Sequence, residues 1–339
     1  MSPEKILGYA AKAIGQRLEP IQYEFPELNE HDVRVSITHC GVCHTDIHAI
    51  NDYYGITTFP FVPGHEIVGI VSAAGSAVAD LKKGDRVGIG WQGRSCMKCE
   101  WCLKGETQLC MEIEKTTVCV PYGGFSSSVI ADHRFVYPLP PAMSSEQAAV
   151  LMCAGATIYS ALRRFVTSPD LKVAILGVGG LGHLAIQFAH AFGNEVTALS
   201  SSPEKKEQAL GFGADHFILS TDRTSMREVN YHYDLLLCTA NDGIDWGTLL
   251  MSVKKRGRLV LVGFPDLSFN STNLVAHELS FDGSLIANPT TMREMLAFAQ
   301  EHDITSTVEL MPMTQVNEAL DRVKENKARY RIVLFNEGV

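Results

Sequence analysis

The chain has 339 residues, 46% hydrophobic and 20% charged, which excludes a disordered protein and suits a pair of domains of roughly 100–200 residues. The net charge of −9 argues against a nucleic acid as partner. No apolar run approaches the roughly 18 residues of a membrane span, which argues against a membrane. Met1–Lys5 lacks the charged-then-apolar pattern of a signal peptide, so we expect a cytoplasmic protein.

The N-terminal part of the chain is rich in predicted strands. Val33–Ile37 alternates apolar and polar residues, which predicts a half-buried strand. Glu66–Val71 and Arg86–Ile89 are short apolar runs bounded by turn residues, and we expect both to be strands as well. The proline-rich segment Tyr137–Pro141 interrupts regular structure, and a helix is predicted from Ser144 onward.

From residue 171 onward the predicted strands and helices alternate. Leu171–Leu176 is a continuous apolar strand, the helix after it ends at Gly193, and Glu195–Leu199 is a second strand. Such alternation builds a parallel sheet with helices on both faces. Further strands are predicted at Leu235–Leu237, Leu259–Val262 and Tyr330–Phe335, and further helices at Met292–Glu301 and Val316–Asn326.

A glycine-rich turn lies between the first strand of this region and its helix. The residues are Gly177, Val178, Gly179, Gly180, Leu181 and Gly182. In a dinucleotide site the first glycine allows the tight turn, the second admits the pyrophosphate and the third packs the helix on the strand. The helix N-terminus then faces the pyrophosphate. The alternative is an ordinary glycine-rich connection between a strand and a helix.

The end of the second strand indicates which cofactor binds. An NAD site usually places an acidic residue there, about 20 residues after the glycines. This chain has Ser200, Ser201 and Ser202, with Lys205 shortly after, which favours the 2′-phosphate of NADP(H). Alternatively, the serines cap a helix that begins at Pro203 and the lysine is solvated. Glu204 is the discordant residue, because it could turn back toward a ribose.

Four of the nine cysteines lie in one short segment, at Cys96, Cys99, Cys102 and Cys110. Four thiolates at this spacing can surround a tetrahedral ion with no open position, which is typical of structural zinc. An iron–sulfur cluster or free thiols are the alternatives. The remaining cysteines are scattered, and spacing alone cannot join any of them to a histidine. They are Cys40, Cys43, Cys119, Cys153 and Cys238.

Several motifs in combination closely resemble those of the zinc-dependent medium-chain alcohol dehydrogenases. They are the four-cysteine segment, the turn Gly177–Gly182 and the pattern G-H-E-x2-G-x5-G-x2-V from Gly64 to Val78. The resemblance spans nearly the whole chain. The segments Cys40–Asp46 and Phe59–Glu66 resemble the cinnamyl alcohol dehydrogenase branch, and Gly88–Trp91 and Lys327–Arg331 resemble its bacterial broad-substrate NADPH-dependent aldehyde reductases.

The resemblance implies an α/β fold with two domains. A doubly wound parallel sheet forms the dinucleotide-binding (Rossmann) domain, expected at 150–288. A β-rich, GroES-like, zinc-binding catalytic domain is expected at 1–149 and 289–339. Relatives are dimers or tetramers, and we expect a homodimer.

The family's catalytic zinc ligands match Cys43, His65 and Cys153 of this sequence. Glu66 matches a carboxylate that can approach or transiently bind the zinc. Asp46 matches the carboxylate that orients the ligating histidine.

The resemblance also implies positions for the proton path and the cofactor. Thr45 matches the hydroxyl beside the reacting oxygen, and His48 the far end of a proton relay through the nicotinamide ribose. The chain departs from many relatives near Ala287–Pro289, where they carry a Gly-Ser pair. Nicotinamide contacts match Thr157, Val262 and Gly263, and 2′-phosphate contacts match Ser201, Ser202 and Lys205.

These roles imply a zinc-dependent NADPH aldehyde reductase or alcohol dehydrogenase with two zinc ions per chain. It would transfer hydride between NADP(H) and aliphatic or aromatic aldehydes, with primary alcohols as substrates in reverse. Aromatic residues such as Tyr54 and Trp91 are predicted to line an apolar cleft or to belong to the core. The alternatives are a cinnamyl-type or polyol dehydrogenase working mainly in oxidation, and a catalytically dead relative that senses nucleotides.

Overall fold

The computed structural model describes residues 5–116 and 122–337, so Cys119 lies outside the described residues. The chain forms two compact units. The first contains Met1–Cys153, Asn288–Gln300 and Ser306–Val339, and the second contains Ala154–Ala287 and Glu301–Thr305. These two units are defined only by contacts within the chain. The functional domains, expected at 1–149 plus 289–339 and at 150–288, stay a prediction.

The described elements of the N-terminal segment are mostly strands. They are β1 (Ile6–Ala10), β2 (Glu19–Tyr23), β3 (Asp32–Val42), α1 (His44–Ile50), β4 (Glu66–Ala74), β5 (Arg86–Ile89), β6 (Gln92–Arg94), α2 (Glu100–Leu103), β7 (Glu114–Lys115), β8 (Ser128–Asp132), β9 (Val136–Pro138) and α3 (Ser145–Val150).

In the middle segment strands and helices alternate. The elements are α4 (Ala156–Phe165), β10 (Lys172–Leu176), α5 (Gly182–Ala191), β11 (Glu195–Ser200), α6 (Lys206–Gly211), β12 (His216–Leu219), α7 (Arg223–Glu228), β13 (Tyr233–Cys238), α8 (Trp246–Ser252), β14 (Val253–Leu261), α9 (Thr272–Ala276) and β15 (Ser280–Gly283). The C-terminal segment adds α10 (Pro289–Glu301), β16 (Val308–Pro312), α11 (Val316–Lys324) and β17 (Arg331–Phe335).

Strand β3 is the centre of the first unit's sheet. It pairs antiparallel with β4, β8 and β17, and the sheet runs in the order β16-β17-β3-β4-β5-β9. Val33, Val35 and Ile37 point to one face and are fully buried, as the alternating pattern predicts. The C-terminal strand β17 therefore lies beside the strand that leads into α1.

The second unit is built on a parallel sheet with the order β12-β11-β10-β13-β14-β15. Strand order reverses between β10 and β13, and open α/β sheets bind ligands at the carboxyl ends of the strands beside such a reversal. The turn after β10 is Gly177–Gly182. The predicted α/β class with a doubly wound parallel sheet is confirmed.

The prediction that Tyr137–Pro141 interrupts regular structure is wrong for its first two residues, because Tyr137 and Pro138 end β9, which pairs with β5. Another difference occurs where polar residues interrupt a strand. The strand predicted at Leu259–Val262 is the end of β14, which begins at Val253. Lys255 and Arg256 are exposed, and Arg256 has a φ of 63°, so the apolar pattern begins only after this break. The short antiparallel pair of β6 and β7, with α2 between the two strands in the chain, carries no strand pattern and is not predicted.

Among the described residues, no helix has both the length and the apolar character needed to cross a membrane.

The glycines of the Gly64–Val78 motif permit close backbone packing. A Cβ on Gly69, in β4, would lie 2.2 Å from the Ser36 carbonyl oxygen on β3. A Cβ on Gly75 would lie 2.2 Å from the Asn29 carbonyl oxygen. Any larger residue at either position would force the paired backbones apart.

We expect Gly69→Ala to lower the midpoint of thermal unfolding by about 5 °C, because overpacking costs roughly 1–3 kcal/mol and each kcal/mol shifts the midpoint by roughly 2–4 °C. Gly211→Ala is the matched control, since a Cβ there has no atom within 4 Å and the residue ends a helix. Circular dichroism melting curves measure both variants. Equal midpoints for the two would contradict the packing argument.

Candidate active site

The segment that leaves β3 is shaped by a capping box. Cys43 has extended backbone angles, φ −118° and ψ 155°, and is the N-cap of α1. Three residues later, the Asp46 Oδ2 atom accepts a hydrogen bond from the Cys43 backbone N–H at 3.0 Å. This local geometry holds the Cys43 side chain at the start of the helix.

The same carboxylate holds a second segment. The Oδ1 atom of Asp46 accepts from the Gly64 backbone N–H at 3.0 Å and faces His65 Nδ1 at 2.9 Å. Asp46 and His65 are both fully buried. Against the effect of burial, Asp46 raises the pKa of His65. In the neutral ring, with Nδ1 donating to the carboxylate, the lone pair lies on Nε2, which is buried without a hydrogen-bond partner. Gly64 has a φ of 106°, and a Cβ on it would lie 2.6 Å from the Phe125 backbone nitrogen.

Glu66 follows as the first residue of β4 and is fully buried. Its Oε1 accepts a hydrogen bond from Arg331 Nη1 at 3.1 Å, while its Oε2 is buried without a partner. Burial raises the pKa of Glu66 to about 8, against the opposing effect of the Arg331 guanidinium. A Cβ on Gly41, its register partner on β3, would lie 1.9 Å from Oε2, so only glycine leaves room for this carboxylate.

Cys153 comes from a separate part of the chain. It lies in a wide π-helical turn, Leu151–Gly155, that follows α3, and such turns are frequent at functional sites. The turn passes close over β5, because a Cβ on Gly88 would lie 2.4 Å from Met152 Sδ and one on Gly90 would lie 2.7 Å from the Met152 carbonyl oxygen. Gly88 in β5 and Gly90 just after it therefore allow Cys153 to reach the cluster.

One ligand atom from each of Cys43, His65, Glu66 and Cys153 lies within 4.8 Å of the other three. A hydrogen bond from Cys153 lowers the pKa of Cys43 well below its ordinary value, against burial, and the pKa of Cys153 is correspondingly raised. Two sulfurs and one imidazole nitrogen are donors that zinc prefers. The unpartnered His65 Nε2 and Glu66 Oε2 atoms fit a cation held among them.

The four-cysteine segment forms a second cluster of four ligand atoms within 4.8 Å of one another. The Cys99 N–H donates to Cys96 Sγ at 3.3 Å, and the Cys96 N–H donates to Cys110 Sγ at 3.5 Å. Backbone N–H groups of Lys98 and Cys99 lower the pKa of Cys96 to about 6. Four sulfurs leave no position open for a substrate, as in structural zinc sites.

Thr45 and His48 lie on α1, close to the first cluster. The Thr45 Oγ1 atom lies 3.6 Å from Cys43 Sγ. His48 follows one turn later, with its Nδ1 3.4 Å from the Tyr54 hydroxyl. Burial, together with the nearby His44, lowers the pKa of His48. The imidazole is therefore neutral near pH 7 and can accept a proton.

In the second unit, the turn after β10 has the features that a dinucleotide site needs. Gly177 has a φ of 92°, and a Cβ on Gly182 would lie 1.8 Å from the Gly177 carbonyl oxygen. A Cβ on Gly179 would have no atom within 4 Å, so the space beside it is open. Gly180 and Leu181 complete the turn, with Leu181 as the N-cap of α5.

The predicted phosphate-binding residues lie at the end of the neighbouring β11. Ser200 is buried and accepts from the Ser202 N–H at 3.2 Å, whereas Ser201 is exposed. Ser202 is the N-cap of a 3₁₀ turn starting at Pro203, but its side chain makes no capping hydrogen bond. Lys205 Nζ donates to the Val178 carbonyl oxygen at 2.8 Å. The serine segment and the glycine turn are thus neighbours.

The remaining predicted cofactor residues are also in the second unit. Val262 and Gly263 follow β14, and the Val262 N–H donates to the carbonyl oxygen of Cys238 at the end of β13. Thr157 lies in the first turn of α4. At the departure from the family pattern, Asn288 Oδ1 accepts from the Thr291 N–H at 2.9 Å and caps the start of α10.

Comparison with known proteins gives two family matches. Residues 29–141 match the alcohol dehydrogenase GroES-like domain, and residues 180–301 match the zinc-binding dehydrogenase model. The aldehyde reductase AdhA of Synechocystis sp. is 38% identical over 97% of this chain and 98% of its own length. The chain belongs to the zinc-binding alcohol dehydrogenase family. The resemblance stated from the sequence and the GroES-like fold of the first unit are confirmed.

Solved structures of this family agree along nearly the whole chain. A cinnamyl alcohol dehydrogenase from Sorghum bicolor matches with a TM-score of 0.93 and 34% identity, covering 98% of both chains. A cinnamyl alcohol dehydrogenase from Helicobacter pylori, solved with NADP(H), matches with a TM-score of 0.91 and 28% identity, also covering 98% of both.

Two residues of the candidate site in this dehydrogenase, Arg331 and Tyr54, have no role in it that the sequence predicts. Arg331 lies in the segment Lys327–Arg331, which predicts no role for it, and its pairing with Glu66 depends on the register of β17 beside β3. Tyr54 is predicted only to line a cleft or belong to the core, and its hydroxyl contact with His48 depends on the turn after α1. No local sequence signal predicts either contact. Cys40 and Cys238, which belong to neither cysteine cluster, are buried in the hydrophobic cores.

We expect Asp46→Asn to weaken zinc binding at the Cys43–His65–Cys153 cluster by about 10–100-fold, because the amide cannot orient His65 and both backbone N–H groups at once. Chelator competition on the zinc-loaded protein measures this, with the four-cysteine site as internal reference. Asp85→Asn, which alters a turn carboxylate bonded to the Lys82 N–H, is the control. If Asp46→Asn and Asp85→Asn bound zinc at this cluster with equal affinity, the role of Asp46 would be contradicted.

Proposed function

We propose that this dehydrogenase is a zinc-dependent, NADPH-dependent aldehyde reductase that acts on a range of aliphatic or aromatic aldehydes and oxidises primary alcohols in reverse. The observation that carries the proposal is the buried cluster of Cys43, His65, Glu66 and Cys153 with the Thr45 hydroxyl beside it. The printed name of the Synechocystis relative, aldehyde reductase, supports the same reaction class.

In this proposal each metal cluster has a separate task. Cys43, His65 and Cys153 would hold the catalytic ion and leave one position open for the substrate oxygen, Glu66 could approach or transiently bind it, and the four cysteines would hold a structural ion. The zinc would supply Lewis-acid activation of the carbonyl group, and NADPH would supply the hydride.

The chain's own residues orient these groups and move the proton. Asp46 keeps His65 in one tautomer, with Nε2 free as a ligand. Thr45 holds a hydroxyl proton beside Cys43, where the product oxygen needs one. His48, neutral and partly exposed, exchanges that proton with solvent. Arg331 offsets the buried negative charge of Glu66.

NADP(H) is proposed as the cofactor because the end of β11 carries no acidic residue. Ser201 and Ser202 offer hydroxyl groups, and Lys205 places a cation against the glycine turn. An anionic 2′-phosphate would be attracted here, whereas an NAD site usually has a carboxylate for the ribose. Glu204 is exposed. The Helicobacter pylori relative, solved with NADP(H), supports this choice.

A homodimer is proposed from the edge of the second unit's sheet. Among the described residues, β15 pairs only with β14, so its other edge is available. Phe264, Val275 and Leu285, close to β15 in sequence, are large apolar residues exposed by 56%, 73% and 38%. An open strand edge with apolar neighbours is a surface that proteins normally cover. A cytoplasmic location stays a prediction.

Initial rates with a panel of aldehydes, using NADPH and NADH, test the proposed reaction. We expect faster turnover with NADPH, and about two zinc ions per chain in the purified protein. Cys43→Ser should retain about one ion and lose at least about a hundred-fold in rate, because the Lewis acid supplies several kcal/mol of stabilisation. Cys238→Ala, in the other unit, should keep both ions and most of the rate. Normal aldehyde reduction by Cys43→Ser would refute the assignment.

Lys205→Ala tests the phosphate preference. We expect its KM for NADPH to rise roughly ten-fold, since a charged hydrogen bond of this kind contributes about 1.5–3 kcal/mol. Its KM for NADH should change little. Lys206→Ala removes the exposed neighbouring cation and is the matched control. An equal increase in the KM for NADPH and the KM for NADH would argue against a 2′-phosphate contact.

A further inference from the structure

The hydroxyl of Tyr54 lies between two residues of the proposed proton path. It is 3.4 Å from His48 Nδ1 and also makes a side-chain hydrogen bond with Thr45. Thr45 in turn lies 3.6 Å from Cys43 Sγ. A continuous series of hydrogen-bonding groups therefore runs from Cys43 through Thr45 and Tyr54 to His48, formed entirely by side chains of the protein.

The backbone after α1 fixes the position of this tyrosine. Asp52 has a φ of 50°, and its Oδ1 accepts from the Thr57 N–H at 2.9 Å. The Tyr53 N–H donates to the His48 carbonyl oxygen at 2.9 Å, and the Thr57 hydroxyl donates to the Ala49 carbonyl oxygen at 3.1 Å. These bonds fold the chain back onto α1, so the Tyr54 side chain returns toward residues six and nine positions earlier.

Neighbouring rings restrict His48 as well. The ring of Tyr53 stacks on the imidazole with centroids 4.8 Å apart and planes at 23°, and the ring of Tyr54 meets it edge-on at 6.0 Å and 81°. Rotation of the imidazole would break both ring contacts and the hydroxyl contact. His48 is thus held with its Nδ1 toward Tyr54.

We propose that Tyr54 is a positioning residue whose hydroxyl joins Thr45 to His48 and holds the His48 imidazole with Nδ1 as acceptor and the proton on Nε2. In the cofactor-free arrangement Thr45 donates to the tyrosine oxygen and the tyrosine O–H donates to Nδ1, which is the order in which a proton leaves an alcohol substrate. When a product oxygen is protonated instead, both hydrogen bonds run the other way, from a proton on Nδ1 to Tyr54 and from Tyr54 to Thr45. The inference rests on the proposed function, because it assigns Thr45 and His48 to proton transfer. It adds a protein group that keeps them aligned whether or not a cofactor is bound.

The protonation state of Tyr54 is compatible with this role. Burial raises its pKa to about 12, so the hydroxyl keeps its proton near neutral pH and donates it in a hydrogen bond. The other groups that act on His48 are the His44 and Tyr53 rings and the Cys43 thiol. The ring contacts carry no negative charge, and Cys43 lies beyond Thr45 on the same series of groups.

The first test reads the tautomer of His48 directly. Zinc-loaded, cofactor-free protein labelled with ¹⁵N-histidine gives the two ring-nitrogen shifts of His48, assigned from the signals that disappear in His48→Gln. We expect the pattern of a neutral ring with the proton on Nε2, and a mixture of tautomers in Tyr54→Phe. Tyr53→Phe removes an exposed hydroxyl next door and keeps the stacked ring, so it should leave the shifts unchanged.

The second test is kinetic. Tyr54→Phe should lower kcat for aldehyde reduction by roughly three- to ten-fold, the effect of one lost hydrogen bond, with KM for the aldehyde nearly unchanged. Tyr53→Phe should stay within about two-fold of the parent rate, since its hydroxyl takes no part. In the His48→Gln background, Tyr54→Phe should have no further effect, because the tyrosine acts through His48.

The outcomes separate this inference from the proposed function. Unchanged His48 shifts and an unchanged kcat in Tyr54→Phe would overturn the inference while aldehyde reduction itself stands. A rise in KM with constant kcat would also overturn it, since Tyr54 would then be a substrate-contacting residue. A changed tautomer in protein that reduces no aldehyde would support the positioning contact and refute the proposed reaction.

Discussion

The candidate active site depends on one buried carboxylate. Asp46 accepts hydrogen bonds from Cys43 N–H and Gly64 N–H and faces His65 Nδ1, so two segments that are distant in sequence are fixed to the same side chain. Because Asp46 is fully buried, each lost bond would leave a polar group without solvent. The need to keep all three bonds fixes the backbone position of Cys43 and the orientation of the His65 ring. It therefore fixes the geometry of the cluster.

Space for the cluster comes from glycines rather than from ligand residues. Gly41 makes room for the Glu66 carboxylate, and Gly88 and Gly90 let the turn with Cys153 approach β5. In each case the added Cβ would lie closer than any van der Waals contact allows. Gly41 and Gly88 thus have a steric explanation that applies to ordinary strand backbones, whereas Gly64 and Gly177 also have positive φ angles of 106° and 92°.

The parts of the site that are local in sequence could be predicted without help from a fold. Strand β10, the turn Gly177–Gly182 and α5 form one continuous unit, and the four-cysteine segment closes on itself. The cluster of Cys43, His65 and Cys153 could be assigned only through resemblance, because no spacing rule joins such distant segments. The contacts made by Arg331 and Tyr54 could not be predicted, since one depends on strand register and the other on a φ of 50° at Asp52. The short antiparallel pair of β6 and β7 could not be predicted either, because neither strand has an apolar alternation.

Charge explains why a buried arginine accompanies this cluster. Two thiolates and the buried carboxylates of Glu66 and Asp46 would bring four negative charges into a site with little access to water, and Arg331, exposed by only 6%, is paired with Glu66. A divalent cation would offset a further part of this charge and favour deprotonated thiols. Without a cation the protons are shared: burial raises the pKa of Glu66 to about 8, and the pKa of Cys153 is raised while that of Cys43 is lowered. The pairing of Arg331 with Glu66 therefore reduces the negative charge of the cluster, and it gives the C-terminal strand β17 a part in the site.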